Sequence, residues 1–168
     1  MYSHHEYHQG LANQIAGLLK NRNETIAVAE SVTAGQLQTS LSIAERAMDF
    51  FQGGITAYNL GQKTKLLGTD PILAMDSDCV SQQIAITMAK NVANLFNCQW
   101  GIGITGYASP VPEKNIEELF ACFAITRDGS TLISETIKAE KQDPFFVRQF
   151  YTQYVLEQLL KLLAKDNN

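Results

Sequence analysis

Three short apolar runs, each ending on small or hydroxyl-bearing residues and each separated from the next by helical periodicity, constrain this chain more than any other feature. Thr25 to Ala29 is a β-branched and apolar run that leads directly into Glu30 and Ser31, as a strand buried on both faces would. Gly53 to Tyr58 is a second such run, announced by a glycine pair, and Trp100 to Thr105 is a third. The third opens into a loop over 106–115, where Pro110 and Pro112 forbid regular pairing. Two further strands, Leu119 to Thr126 and Thr131 to Lys138, are joined at Asp128-Gly129, a strong hairpin signal.

The intervening segments read as helices. Leu11, Ile15, Leu18 and Leu19 recur at helical spacing over 11–20, and Leu37, Leu41 and Ala44 do so within a helix predicted over 33–46. A short helix over 60–67 ends at Gly68, and Pro71 is expected to begin a loop. Ser81 is a good N-cap for a long helix whose stripe of Ile84, Met88, Val92 and Leu95 is core packing, and a last helix runs from Phe145 to Ala164. Early alternation favours parallel pairing and the late hairpin requires an antiparallel pair, so the pattern predicts an α/β fold with a mixed sheet covered on both faces.

A chain of 168 residues fits one compact domain, expected over 11–168 behind a polar, flexible leader at 1–10. With 45% hydrophobic and 18% charged residues it can bury a full core. A net charge of -4 with no basic run argues against a nucleic-acid surface. Three cysteines, Cys79, Cys98 and Cys122, without C-x-x-C spacing suit a reducing compartment and support no structural zinc. No apolar run approaches the roughly 18 residues of a membrane span, and the start lacks a signal-peptide core, so a cytoplasmic location is expected. The histidines His4, His5 and His8 all lie in the leader, so any catalysis must manage without them.

The strand-end segments AESVTAG (29–35), GGITAYNLGQK (53–63) and ITGYASP (104–110) concentrate small residues with hydroxyl and amine groups. Ser31 stands between a strand and a helix, where its hydroxyl either caps the helix or serves as a nucleophile near free backbone N–H groups. Thr33 reads as a second cap or a substrate contact, and Gly35 as a site of close packing or of ligand approach. Lys63 follows Tyr58 by five residues and is either a solvated lysine beside Lys65 or a desolvated base for a serine. Thr105 closes the third strand as a turn residue or a substrate donor, and Arg148 is suited to a salt bridge or to a bidentate grip on phosphate.

Taken together, AESVTAG, GGITAYNLGQK, VSQQIAITMA and TGYASP resemble, in order and spacing, the CinA C-terminal family, whose pattern runs AES-C-T-GG, GG-x-x-x-Y-x-x-x-x-K, V-S-x-x-x-A-x-x-MA and TG-x-AGP. The resemblance covers about residues 11 to 163. It implies a three-layer α/β/α fold with a mixed, mostly parallel five-stranded sheet, often a homodimer, and deamidation of nicotinamide mononucleotide to nicotinate mononucleotide and ammonia, with no cofactor or metal. By position it makes Ser31 the nucleophile and Lys63 its base, with Tyr58 and Thr105 orienting them. Thr33, Gly35, Gly106 and Arg148 would contact a small-molecule pyridine nucleotide. The chain departs from the pattern at Val32 and Ala34, in Val111-Pro112-Glu113-Lys114-Asn115 where the family is glycine-rich, and at Pro144 where the family has an arginine. Those departures leave open a non-catalytic or substrate-shifted paralogue that binds nucleotides or acts as an interaction protein.

Overall fold

The computed structural model describes residues 4–165, with side chains from residue 8. The chain runs α1 (His4–Asn21), β1 (Ile26–Glu30), α2 (Gln36–Ser42), β2 (Phe51–Thr56), α3 (Leu60–Leu67), α4 (Pro71–Asp76), α5 (Gln82–Leu95), β3 (Trp100–Gly106), β4 (Leu119–Arg127), β5 (Ser130–Ala139) and α6 (Pro144–Lys165). The five strands form one mixed sheet in the order β2-β1-β3-β4-β5. β1 pairs parallel to both β2 and β3, while β3–β4 and β4–β5 are antiparallel. This is the mixed sheet, covered on both faces, that the alternation of elements predicts, and the three-layer α/β/α architecture that the family resemblance implies.

Strand alternation explains how the layers are filled. Ile26 and Val28 point to the face covered by α1, α2 and α6, where they join Ile102, Ile104 and Tyr151, while Ala27 and Ala29 point to the face covered by α5, where they meet Ile84, Met88 and Val92. β3 carries glycine on that second face because α5 lies almost against its backbone. A Cβ on Gly101 would stand 2.1 Å from the Ala89 carbonyl oxygen, and one on Gly103 would stand 2.2 Å from that of Ala85. Small residues on both elements therefore set the helix-to-sheet distance.

Some boundaries differ from the sequence reading, for local reasons. α1 begins at His4, so the segment from residue 4 read as leader continues the helix, and the expected leader residues 1–3 lie outside the described residues. The helix expected over 33–46 is confined to Gln36–Ser42, because Ala34 and Gly35 both take positive φ. Pro71 starts α4 rather than a loop: it occupies the first turn, where its missing N–H costs nothing, and Asp70 accepts from the N–H groups of Ile72 (2.8 Å) and Leu73 (3.2 Å). Leu95, expected in the core stripe of α5, is 60% exposed as the last residue of that helix, whereas Ile84, Met88 and Val92 are buried. Asp128 and Gly129 form the β4–β5 turn with φ of 48° and 77°, the left-handed pair a two-residue hairpin needs. Among the described residues no helix is long and apolar enough to cross a membrane.

Candidate active site

The sheet order places β1 between two parallel neighbours reached by connections on opposite sides, with α2 on one face and α5 on the other. The carboxyl ends of β1 and β3 therefore face a crevice, the place where open α/β sheets hold ligands. A cavity of about 650 Å³ opens there, lined by Ser31, Tyr58, Lys63, Thr105, Gly106 and Arg148 among others. Six of the eight site residues expected from sequence thus share one space.

Ser31 owes its freedom to its neighbour. β-alternation turns the Glu30 side chain to the α2 face, and its carboxylate, fully buried, accepts the N–H groups of Gly35 (3.0 Å), Leu37 (3.1 Å) and Gln38 (2.9 Å). Glu30 therefore caps α2, and the N-cap position itself falls on Gly35, with φ of 99° and no side chain. The capping role considered for Ser31 is occupied, and its hydroxyl lines the cavity instead. Within the turn, Ser31 N–H donates to Ile104 O (3.0 Å) and Ala34 N–H to Ser31 O (3.1 Å), and the N–H groups of Val32 and Thr33 enter none of the turn's hydrogen bonds.

Thr33 and Gly35 do not line the cavity. Thr33 is fully buried and its hydroxyl has no hydrogen-bond partner among the described residues, while Gly35 supplies a left-handed backbone with open space where a Cβ would stand. Both serve the turn that presents Ser31. Neither the capping role considered for Thr33 nor the close packing considered for Gly35 is what the turn uses.

Lys63 is not on a solvated face. It shares the buried side of α3 with Leu67, four residues on, and is only 3% exposed, whereas Lys65 is exposed. Burial pushes its pKa below the ordinary lysine value, partly offset by the attraction of Cys79 and Asp78. Among the described residues it makes no ion pair, so nothing but those two neighbours offsets the cost of burying its charge. Tyr58 stands at the mouth, 60% exposed, and its hydroxyl accepts from Arg148 Nη2 at 3.3 Å. Thr105 is buried and donates to the Cys79 carbonyl at 2.7 Å, which fastens the α4–α5 turn to the end of β3. Gly106 is required sterically, since a Cβ there would stand 2.4 Å from Phe120 O.

Three further lining residues, Asp78, Tyr107 and Lys114, escaped the sequence reading. Asp78 and Cys79 both take positive φ, 50° and 62°, in the turn that Thr105 holds. The Asp78 carboxylate accepts from Tyr107 Oη (2.6 Å) and Lys114 Nζ (2.6 Å). Burial pushes Asp78 up, but the hydrogen bonds from Lys114 and Tyr107 outweigh it and hold the carboxyl below its usual range. The 106–115 segment is also more ordered than its prolines suggest. Val111 and Ile116 bridge reciprocally, N–H to O at 2.9 and 3.2 Å, around a 3-10 turn at Pro112–Lys114. No aspartate, tyrosine or lysine signals such a partnership in sequence, because it joins residues 29 and 36 positions apart.

Comparison with known proteins identifies the family and the fold. The family model described as CinA C-terminal domain matches residues 8–163. A CinA-like protein of Synechococcus sp. (strain CC9902) is 37% identical over 161 residues, covering 93% of this chain and 38% of that protein. A CinA-like protein of Picosynechococcus sp. is 32% identical over 156 residues, covering 92% of this chain and 37% of that one. The chain therefore spans less than two fifths of the length of these relatives. Among solved structures, the competence or damage-inducible protein from Enterobacter asburiae superposes with a TM-score of 0.87 at 25% identity, covering 93% of this chain and 98% of that one. A CinA superfamily protein from Enterobacter cloacae gives 0.84 at 26%, covering 93% and 92%. The chain belongs to the CinA C-terminal domain family.

Proposed function

We propose that this chain is a serine amidase that hydrolyses the carboxamide of nicotinamide mononucleotide to nicotinate mononucleotide and ammonia. The observation that carries the reading is a lysine with depressed pKa, almost wholly buried, lining the same cavity as a serine whose capping role another residue has taken. In this mechanism the Ser31 hydroxyl attacks the carboxamide carbon while neutral Lys63 accepts its proton. The oxyanion is met by the N–H group of Val32, which lines the cavity and which the turn leaves uncommitted. Lys63 returns the proton to the leaving nitrogen and ammonia departs. Water, deprotonated by Lys63, then attacks the acyl ester, and nicotinate mononucleotide leaves as Ser31 recovers its proton.

Tyr58 and Arg148, joined at the mouth, are suited to steer the nucleotide, and Thr105 acts by holding the Asp78–Cys79 turn. Ammonia release from nicotinamide mononucleotide by the purified protein tests the reading; no release above a heat-killed control, with related pyridine nucleotides equally inert, refutes it. The rebuilt 106–116 segment, which brings Val111 and Lys114 into the cavity wall, favours a shifted substrate as the second reading. Turnover of another pyridine nucleotide in preference to nicotinamide mononucleotide would select it.

A further inference from the structure

We propose that Lys114 is the second cation, with Arg148, that grips the phosphate of the ligand filling the Ser31–Lys63 cavity, and that Asp78 holds Lys114 in readiness for it. The proposal deepens the nucleotide reading above and rests on it for the rest of the ligand, but the phosphate grip itself does not depend on amide turnover.

Charge is the first argument. The protein carries a net charge of -4, yet apart from the buried Lys63 amine the charged side chains lining the cavity are two cations, Lys114 and Arg148, against the single carboxylate of Asp78. An acidic protein that concentrates positive charge in its main crevice selects an anion. Lys63 is buried in the wall it shares with Ser31, which leaves the more exposed Lys114 and Arg148 for a charged group away from the reacting carboxamide.

The loop is built to present Lys114. Its backbone N–H donates to Val111 O at 2.9 Å, Asn115 follows in the left-handed region with φ of 55°, and the Val111–Ile116 bridge closes the segment. The lysine therefore stands at a fixed point of the wall. Its pairing with Asp78 at 2.6 Å is half-exposed, 50% and 41% on the two sides, and exposed pairs of this kind are weak because solvent screens them. Exchange of that carboxylate for a phosphate dianion is therefore cheap, and Asp78 keeps the Tyr107 hydroxyl when Lys114 leaves it.

Arg148 supplies the matching half. Its Nη2 donates to Tyr58, while its Nε is buried without a hydrogen-bond partner among the described residues. A donor left over beside an anion-selective cavity calls for an acceptor from the ligand. Position 144, where the resemblance expects a further arginine, is proline, so α6 offers Arg148 no second guanidinium from that position. Lys114, on the 106–116 loop that lines the same cavity, supplies the second point of contact.

Ribose 5-phosphate and ribose, titrated calorimetrically into the full chain, test the clamp without requiring turnover. The wild type is expected to bind the phosphorylated sugar and not ribose. Lys114→Gln should weaken ribose 5-phosphate by about tenfold or more, Lys114→Arg should recover most of the loss, and Lys161→Gln, an exposed lysine on α6 removing the same charge, should leave affinity unchanged. An equal affinity for ribose and its phosphate, a Lys114→Gln loss no greater than that of Lys161→Gln, or no recovery by arginine overturns the proposal. Ammonia release by a wild type whose Lys114→Gln variant binds as well as it does overturns the clamp alone. A wild type that shows the full binding pattern but never releases ammonia keeps the clamp and overturns the amidase.

Discussion

Replacing Glu30 by glutamine isolates the interaction that sets up the site. The buried carboxylate accepts three backbone N–H groups, from Gly35, Leu37 and Gln38 at 3.0, 3.1 and 2.9 Å. A hydrogen bond to a charged acceptor contributes about 1.5–3 kcal/mol and a neutral one about 0.5–1.5, so weakening all three costs roughly 3 kcal/mol. Glutamine also turns an amide NH₂ toward at least one N–H donor, and a buried donor facing a donor adds about 1 kcal/mol or more. The expected loss is therefore about 4 kcal/mol, which for a chain of this size lowers Tm by roughly 8–16 °C. Urea unfolding followed by circular dichroism, with calorimetry for Tm, measures it. A loss below about 1 kcal/mol would show that Glu30 does not cap α2, and the account of why Ser31 is free would fail with it.

Ser31→Ala, by contrast, should change stability by less than about 0.5 kcal/mol, since its hydroxyl caps nothing, while abolishing amide hydrolysis in a single-turnover assay. Lys63→Met should collapse turnover as well, and the double variant should be little worse than either single one, because the two act as one unit. The pH profile of kcat/KM should rise as Lys63 loses its proton and level off above its depressed pKa, a rise absent from the Lys63→Met residual rate. Stability follows the same titration: between the folded and the ordinary lysine pKa the unfolded chain binds more protons, so wild-type stability rises with pH there. Lys63→Met should therefore be the more stable protein at neutral pH, by a margin that shrinks toward pH 10.5 in urea titrations. Gly103→Ala should destabilise by about 1–3 kcal/mol in the same titrations, because its methyl would stand 2.2 Å from the Ala85 carbonyl oxygen.

What the sequence makes legible follows from range. The Gly68 and Ser81 boundaries and the Asp128-Gly129 hairpin depend on a few adjacent residues, and each is where local preference puts it, whereas β2 runs over Phe51–Thr56, two residues before the expected Gly53 to Tyr58. Pro71 was misread because proline forbids a helix interior but suits a first turn, and only the Asp70 carboxylate decides between them. Leu95 matches the periodicity of α5 yet falls on its last residue, beyond the sheet it would pack on. In the site, Ser31, Tyr58, Thr105 and Gly106 are recoverable because they follow or close strands that announce themselves, whereas Lys63 and Arg148, on α3 and α6, are singled out only by the family resemblance. Asp78, Tyr107 and Lys114 are not, since their bonds join segments that only the fold brings together.

The burial of Lys63 shows why local odds mislead at such a site. Lysines on short helices are mostly solvated, and Lys65 two residues later obeys that rule. Lys63 breaks it because Asn59, accepting from Gln62 N–H at 3.0 Å, fixes where α3 starts and hence which of its residues face inward. A helix begun one residue later would carry its start past Leu60 and turn a different side chain toward Ser31. The cost of burying an amine is thus imposed by a cap several residues away, and a fold without use for that amine would lower its energy by placing an apolar residue at 63. The same reasoning applies to Glu30, whose buried carboxylate replaces a cap that serine could have supplied alone. Two polar side chains are held inside at a cost to stability, and both exist beside one hydroxyl that the rest of the turn leaves free.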